Sequence, residues 1–143
     1  MHALLSRIIQ VLMRQGLSIR KAERSATYHE VVNARTGDVI INRGRLADSF
    51  KSRSVGLLGD ASLDQDEGLI IRPCWSIHTL FMRFAIDVLF LDKKGKVRKI
   101  VRRMPAWRFA MSLGAHATIE MAPGVLDDFD VRVGDLIEVR AAA

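Results

Sequence analysis

Cysteine is nearly absent from this sequence, and the single one, Cys74, closes several routes. An intrachain disulfide needs two cysteines, and a cysteine-based zinc cluster needs more. Cys74-x-x-x-His78 supplies two metal ligands, but no second Cys or His pair follows at a regular spacing. No metal and no cofactor is therefore expected. The motifs G-x-S-x-G and H-E-x-x-H are missing as well. Arginine interrupts the first apolar run too early for it to span a bilayer, and no A-x-A-like cleavage site follows. No signal peptide is expected, and the compartment stays open between cytoplasmic and membrane-peripheral. With 49% hydrophobic residues over 143 positions, the chain can bury a core as one domain without crosslinks.

Acids are missing from one stretch in particular. Residues 93 to 108 hold eight cations (Lys93, Lys94, Lys96, Arg98, Lys99, Arg102, Arg103 and Arg108) and no acid. Residues 1 to 27 hold five cations against Glu23 alone. The net charge is +6, so the remainder carries nine cations against fifteen acids. This is an acidic body with two basic patches. It favours a localised anion-facing surface over a uniform coat for DNA.

Residues 3 to 14, ALLSRIIQVLMR, place Leu4, Leu5, Ile8, Ile9 and Leu12 on one helical stripe, with Arg7 and Arg14 off it. Such a helix can dock on its own domain, pair with another chain, or lie on an anionic membrane. Residues 1–27 thus read as an amphipathic helix and linker, and 28–143 as a single β-rich domain. Tyr28 to Arg43 is a hairpin, turning at Arg35-Thr-Gly-Asp38, where Gly supplies positive φ. RTGDVIINR (35–43) and RVGDLIEVR (132–140) agree at five of nine positions. The sequence allows a duplicated half-barrel element or one turn chemistry used twice, and the second reading is simpler.

Leu46 to Gly59 reads as a helix capped by Asp48 or Ser49. Gly68 to Ile71 is a short buried strand. The stretch Cys74 to Leu91 gives one or two strands, and Asp92 to Lys96 turns into Val97–Met104. That segment fits either period but favours a strand through its β-branched residues. Pro105 to Met111 is a loop or short helix. Thr118–Met121 is a strand, Val125–Phe129 one helical turn, and Asp135–Arg140 the last strand. The expected fold class is mainly β (α+β): a compact, small barrel-like domain with two or three short helices.

One carboxylate stands where charge is least expected. Asp87 lies within Ile86–Leu91, and an unpaired buried anion costs several kcal/mol, on the order of a lost ion-pair partner. It must be held by backbone N–H groups or by an arginine such as Arg83, four residues earlier. A catalytic role is the sharper alternative. His78, between Ile77 and Leu80-Phe81, reads as a core or rim histidine before it reads as a ligand.

Five segments taken in order, Arg53 to Leu58, Glu67 to Ile70, Ile86 to Asp92, Ile119 to Gly124 and Val133 to Asp135, together resemble the family known as domain of unknown function 192, over about Ala47 to Val139. Arg53-Ser-Val-Gly-Leu-Leu58 resembles its R-x-x-G-L-M segment, and Glu67-Gly-Leu-Ile70 its E-G-M-L strand start. Ile86-Asp-Val-Leu-Phe-Leu-Asp92 is similar to its L-D-I-I-F-I-D strand. Ile119-Glu-Met-Ala-Pro-Gly124 and Val133-Gly-Asp135 are similar to its L-E-x-x-x-G and V-G-D pieces. The chain departs at His78, where many members carry Trp, and at Ala85, where they carry Pro. The resemblance implies a compact, mostly β fold with an open face, and it does not point to any particular activity. It also implies structural roles for Arg53, Asp87, Glu120, Gly124, Gly134 and Asp135, with Arg53 a partner for Asp87 across the core.

Three functions follow as expectations. The first is a non-enzymatic binding module, with a cleft lined by Trp75, His78, Phe81, Met82 and Trp107 and rimmed by cations including Arg102 and Arg103. Its ligand would be a small anion, a peptide or an acidic partner surface. The second is a thiol enzyme using Cys74, His78 and Asp87 as nucleophile, base and orienting carboxylate. However, Pro73-Cys74 is not at a helix N-terminus that would activate the thiol. The third is nonspecific nucleic-acid binding by the 93–108 hairpin, where only Trp107 could stack. Edge protection by lysines explains those charges more simply. Membrane contact or self-association would run through residues 3–14.

Overall fold

A computed structural model describes residues 27–47 and 62–142. Nine strands occur among them: β1 (His29–Asn33), β2 (Val39–Ala47), β3 (Glu67–Ile71), β4 (Ser76–His78), β5 (Ile86–Leu91), β6 (Val97–Met104), β7 (Phe109–Met111), β8 (Ala117–Met121) and β9 (Ile137–Ala141). Seven form one sheet in the order β6-β5-β8-β3-β2-β1-β9, and β4 and β7 form a separate pair. All neighbours in the large sheet are antiparallel except β2 and β3, which run parallel from Arg43↔Glu67 to Ala47↔Ile71. The sheet curls into a half-barrel. Its two edge strands meet at one end through a bridge between Lys96 and Leu136, with Val97 N donating to Asp135 O at 2.9 Å.

β5 is buried along its whole length. Both of its faces are covered, so it reads as a continuous apolar run instead of alternating. Its Val88 lies opposite Glu120 of β8, and Glu120 lies opposite Leu69 of β3. The residues on either side, Asp87 and Leu89 with Met121 and Ile119, point to the other face. Phe90, Ile86, Leu89, Ile119, Met121 and Leu126 are among the largest fully buried side chains. Their burial is the main stabilising term, at about 1.5–3 kcal/mol for each large side chain removed from water.

The hairpin, the strand assignments at β3, β5, β6, β8 and β9, and the turn at Asp92 follow the sequence. Asp92 Oδ1 accepts from Lys94 N at 2.8 Å and Lys96 N at 3.0 Å, which closes that turn without a helix. The similar nonapeptides use one turn chemistry with different partners. Gly37 (φ 79°) donates to Asn33 O, whereas Gly134 (φ 94°) donates to Val97 O, both at 2.8 Å. The strands that follow, β2 and β9, flank β1 on opposite sides.

The helical expectations need correction. Among the described residues the sole helical element is the 3-10 turn Val125–Asp127, so the α+β assignment becomes mainly β. The helix expected from Leu46 begins wrongly, because Leu46 and Ala47 pair with Ile70 and Ile71 as the end of β2. The rest of that helix, with Arg53, lies outside the described residues, as does the amphipathic helix at 3–14. Pro105–Met111 is a loop running into β7, not a helix.

Candidate functional site

Asp87 is fully buried, and among the described residues its carboxylate is met by backbone donors. Oδ1 accepts from Arg103 N at 2.7 Å, and Oδ2 from Gly124 N at 3.0 Å and Leu126 N at 2.9 Å. Two local distortions supply these donors. The pairing steps from Ile86↔Met104 to Val88↔Val101, so Arg102 and Arg103 together oppose Asp87 in a bulge, with Arg103 at φ 48°. Gly124, at φ 89°, opens the 3-10 turn so that two of its N–H groups converge on the carboxylate. Asp127, at the far end of that turn, pairs with Arg102 at 3.6 Å and with Arg103. Asp87 is thus the anchor that ties β5, β6 and the turn together.

The three residues of the expected thiol triad each have other partners. Asp87 is occupied by backbone, His78 Nδ1 accepts from Leu80 N at 3.3 Å, and Cys74 Sγ donates to Ser76 O at 3.2 Å. No hydrogen bond joins the three side chains among the described residues. Partial burial lowers the His78 pKa from its ordinary value. No group of three or more acids, histidines or cysteines among the described residues could hold a metal.

The aromatic residues gather on the separate β4–β7 pair. The register sets Ser76 against Met111, Ile77 against Ala110, and His78 against Phe109. Ile77 packs into the core with Ala110 against it, so Phe109 and Met111 must face outward. Phe109 is 71% exposed, Met111 53%, and Leu113 in the following turn 74%. Trp75, at the neighbouring end, is 51% exposed, and its carbonyl accepts from Ser112 N at 2.9 Å.

At the other end, Phe81 and Trp107 stand half-exposed with ring centroids 4.7 Å apart. Both have φ 65°, in the left-handed region. For a bulky residue that conformation costs about 1–3 kcal/mol, more than a ring pair returns. Thr79 holds them there. It is fully buried, its Oγ1 donates to Pro105 O at 2.6 Å and accepts from Arg108 N at 3.0 Å, and its carbonyl accepts from Trp107 N at 2.9 Å.

Of the expected cleft residues, Trp75, His78, Phe81 and Trp107 therefore lie along this pair, with His78 6.2 Å from Phe109 between ring centroids. Met82 does not belong with them. The turn that bonds Met82 N to Thr79 O turns Phe81 outward and Met82 into the core, at 7% exposure. Arg102 and Arg103 engage Asp127. Lys99 instead reaches the pair, its Nζ donating to Met111 O at 3.1 Å, and the Arg98 guanidinium lies over Gly114. Phe109, Met111, Leu113 and Thr79 were missed by sequence reasoning. The alternation in Phe109-Ala-Met-Ser-Leu113 was the available signal.

Two further carboxylates contrast with Asp87. Asp135 is buried and accepts from Arg35 Nε at 2.8 Å, Asn33 Nδ2 at 2.9 Å and Arg132 N at 2.9 Å. The Arg35 guanidinium holds its pKa well below the usual carboxylate range. Glu120 is also buried, but burial alone acts on it and pushes its pKa up to about 7.

A curled seven-stranded sheet with a backbone-clamped aspartate and an exposed aromatic pair defines a small, mainly β half-barrel domain. The chain belongs to the DUF192 family, described as an uncharacterised ACR, whose model matches residues 31–139. A UPF0127 protein of Thermococcus sibiricus is 34% identical over 113 residues, covering 76% of this chain and 73% of its own length. One from Pyrococcus furiosus is 32% identical over 116 residues, covering 76% and 96%. The fold matches a crystal structure of a protein of unknown function from Novosphingobium aromaticivorans, with TM-score 0.66 and 20% identity over 77% of this chain and 82% of that one. Another, from Sinorhizobium meliloti and described as a candidate transcription regulator, gives TM-score 0.68 and 18% identity over 80% and 95%.

Proposed function

We propose that this protein is a non-enzymatic binding module whose recognition face is the outer side of the β4–β7 pair with Phe81 and Trp107. One observation carries this reading: six large apolar side chains, from Phe81 at 44% to Leu113 at 74% exposure, lie on or directly beside the β4–β7 pair, whose inward residue Ile77 is packed in the core. A monomeric domain gains nothing in stability from such a patch, and contiguous apolar surface marks an interaction site. Lys99, Arg98 and Arg108 border it, while residues 93 to 108 hold no acid. The ligand therefore presents apolar groups within negative charge, which favours the acidic partner over a bare small anion. Single-stranded nucleic acid fits less well, since Met111 and Leu113 offer no ring for a base to stack on.

Both tryptophans of the chain, Trp75 and Trp107, are half-exposed and flank the strand pair, so their fluorescence serves as the readout. Two anionic amphipathic probes test the reading: an acidic peptide with aromatic anchors, and a single-chain alkyl phosphate. A saturable change with either, absent with polyglutamate and weakened in Phe109→Ala, is expected. A flat response to both probes overturns it.

A further inference from the structure

We infer that the occupant of the β4–β7 face is an anionic lipid surface, with Phe109, Met111 and Leu113 entering the headgroup boundary and Lys99, Arg98 and Arg108 meeting the phosphates. The inference rests on the binding reading above and names its partner.

The shape of the patch argues for it. Leu113 is the most exposed large apolar residue among the described residues and sits at the tip of a tight turn, closed by Ala115 N donating to Ser112 O at 3.0 Å. Phe81, on a turn, and Trp107, on a bend, are 44% and 55% exposed. Side chains on convex tips enter a soft apolar layer, whereas a folded protein partner is anchored in concave pockets. Tryptophan, phenylalanine and leucine ringed by lysine and arginine is the composition that suits the membrane–water boundary.

Charge narrows the choice further. A second copy of this chain would set the same cations against each other, which opposes self-association through this face. An anionic leaflet attracts each lysine or arginine near its surface and has no matching repulsion to overcome. Contact of this kind lies on the membrane without crossing it. No helix among the described residues is long and apolar enough to cross.

The full-length chain is titrated with phosphatidylcholine vesicles, with and without phosphatidylglycerol, following tryptophan emission and its quenching by brominated lipid. Binding to the anionic vesicles alone, with a blue shift and quenching, is expected. Phe109→Ala with Leu113→Ala should weaken partitioning by about tenfold or more, given the area each side chain loses. Val133→Ala, exposed elsewhere, should leave it unchanged. Binding without quenching would mean that another segment, such as residues 3–14, makes the contact, and the inference falls. Absence of vesicle binding while the acidic peptide still binds also overturns it, and leaves the binding reading standing. Silence of every probe removes both.

Discussion

The seven-stranded sheet and the β4–β7 pair treat the same residue types in opposite ways. In the sheet, even charge is buried: Asp87, Glu120 and Asp135 lie inside, and the first and third are enclosed by donors. In the pair, large apolar side chains point to solvent, and two bulky residues are held at positive φ by Thr79. The sheet spends its polar groups on making one structure unique. The pair carries surface that folding alone does not require. On the binding reading proposed above, stability and recognition are separated by strand system, and substitutions in each should read out differently.

The largest effect belongs to the sheet. Asp87→Ala strands three N–H groups at once, one buried and two part-buried, and an unmet buried group costs about 1–3 kcal/mol, so a loss of about 3 kcal/mol or more is expected in urea denaturation. A loss below about 1 kcal/mol would show that the carboxylate does not tie these segments together.

Glu120 gives the next effect, and its sign depends on pH. Its folded pKa, about 7, lies above the ordinary value of 4.5. Between these values the folded state holds a proton that the unfolded state releases, so stability falls as pH rises. The penalty is absent below 4.5 and complete above 7, where it reaches about 3 kcal/mol. Glu120→Gln should flatten this slope and leave the variant the more stable protein above pH 7. Parallel slopes in the two proteins across that window would contradict the assignment. Asp135 works in the reverse sense: its depressed pKa contributes stability above the ordinary carboxylate range, which is lost on acidification.

The smallest effect on stability belongs to the pair. Phe109→Ala with Leu113→Ala should change the unfolding free energy by no more than about 0.5 kcal/mol, because both side chains are already in water. A core-sized loss in thermal or urea unfolding would place these residues in the packing after all and collapse the contrast between the two strand systems.

Much of the sheet was legible because its signals are local. Gly37 and Gly134 mark turns, the β-branched run of Val97–Met104 marks β6, and the apolar run at Ile86–Leu91, interrupted by Asp87 alone, marks a doubly covered strand. Asp87 could be read as buried and satisfied, because the cost of the alternative is large. Its donors could not be read. They come from a bulge and a glycine turn 16 and 37 residues away, and tertiary pairing sets both. The parallel pairing of β2 with β3 was hidden for the same reason: Leu46 and Ala47 fit a helix start by themselves, and only Ile70 and Ile71 make them strand. On the aromatic face, Phe109-Ala-Met-Ser-Leu113 shows the right period but not its direction. Pattern rules send the larger side chains inward. Here Ile77 already fills that space, and Ala110 is the side chain that fits beside it.

The meeting of β1 with β9 has a consequence for how the chain could be rewired. His29 pairs with Ala141, and Ala142 N donates to Tyr28 O at 2.9 Å, so the two ends of the described domain lie side by side. A short linker could join them, and a new opening at the Asp92–Lys96 turn would give a circular permutant that keeps every strand pairing, at the cost of the bonds that close that turn.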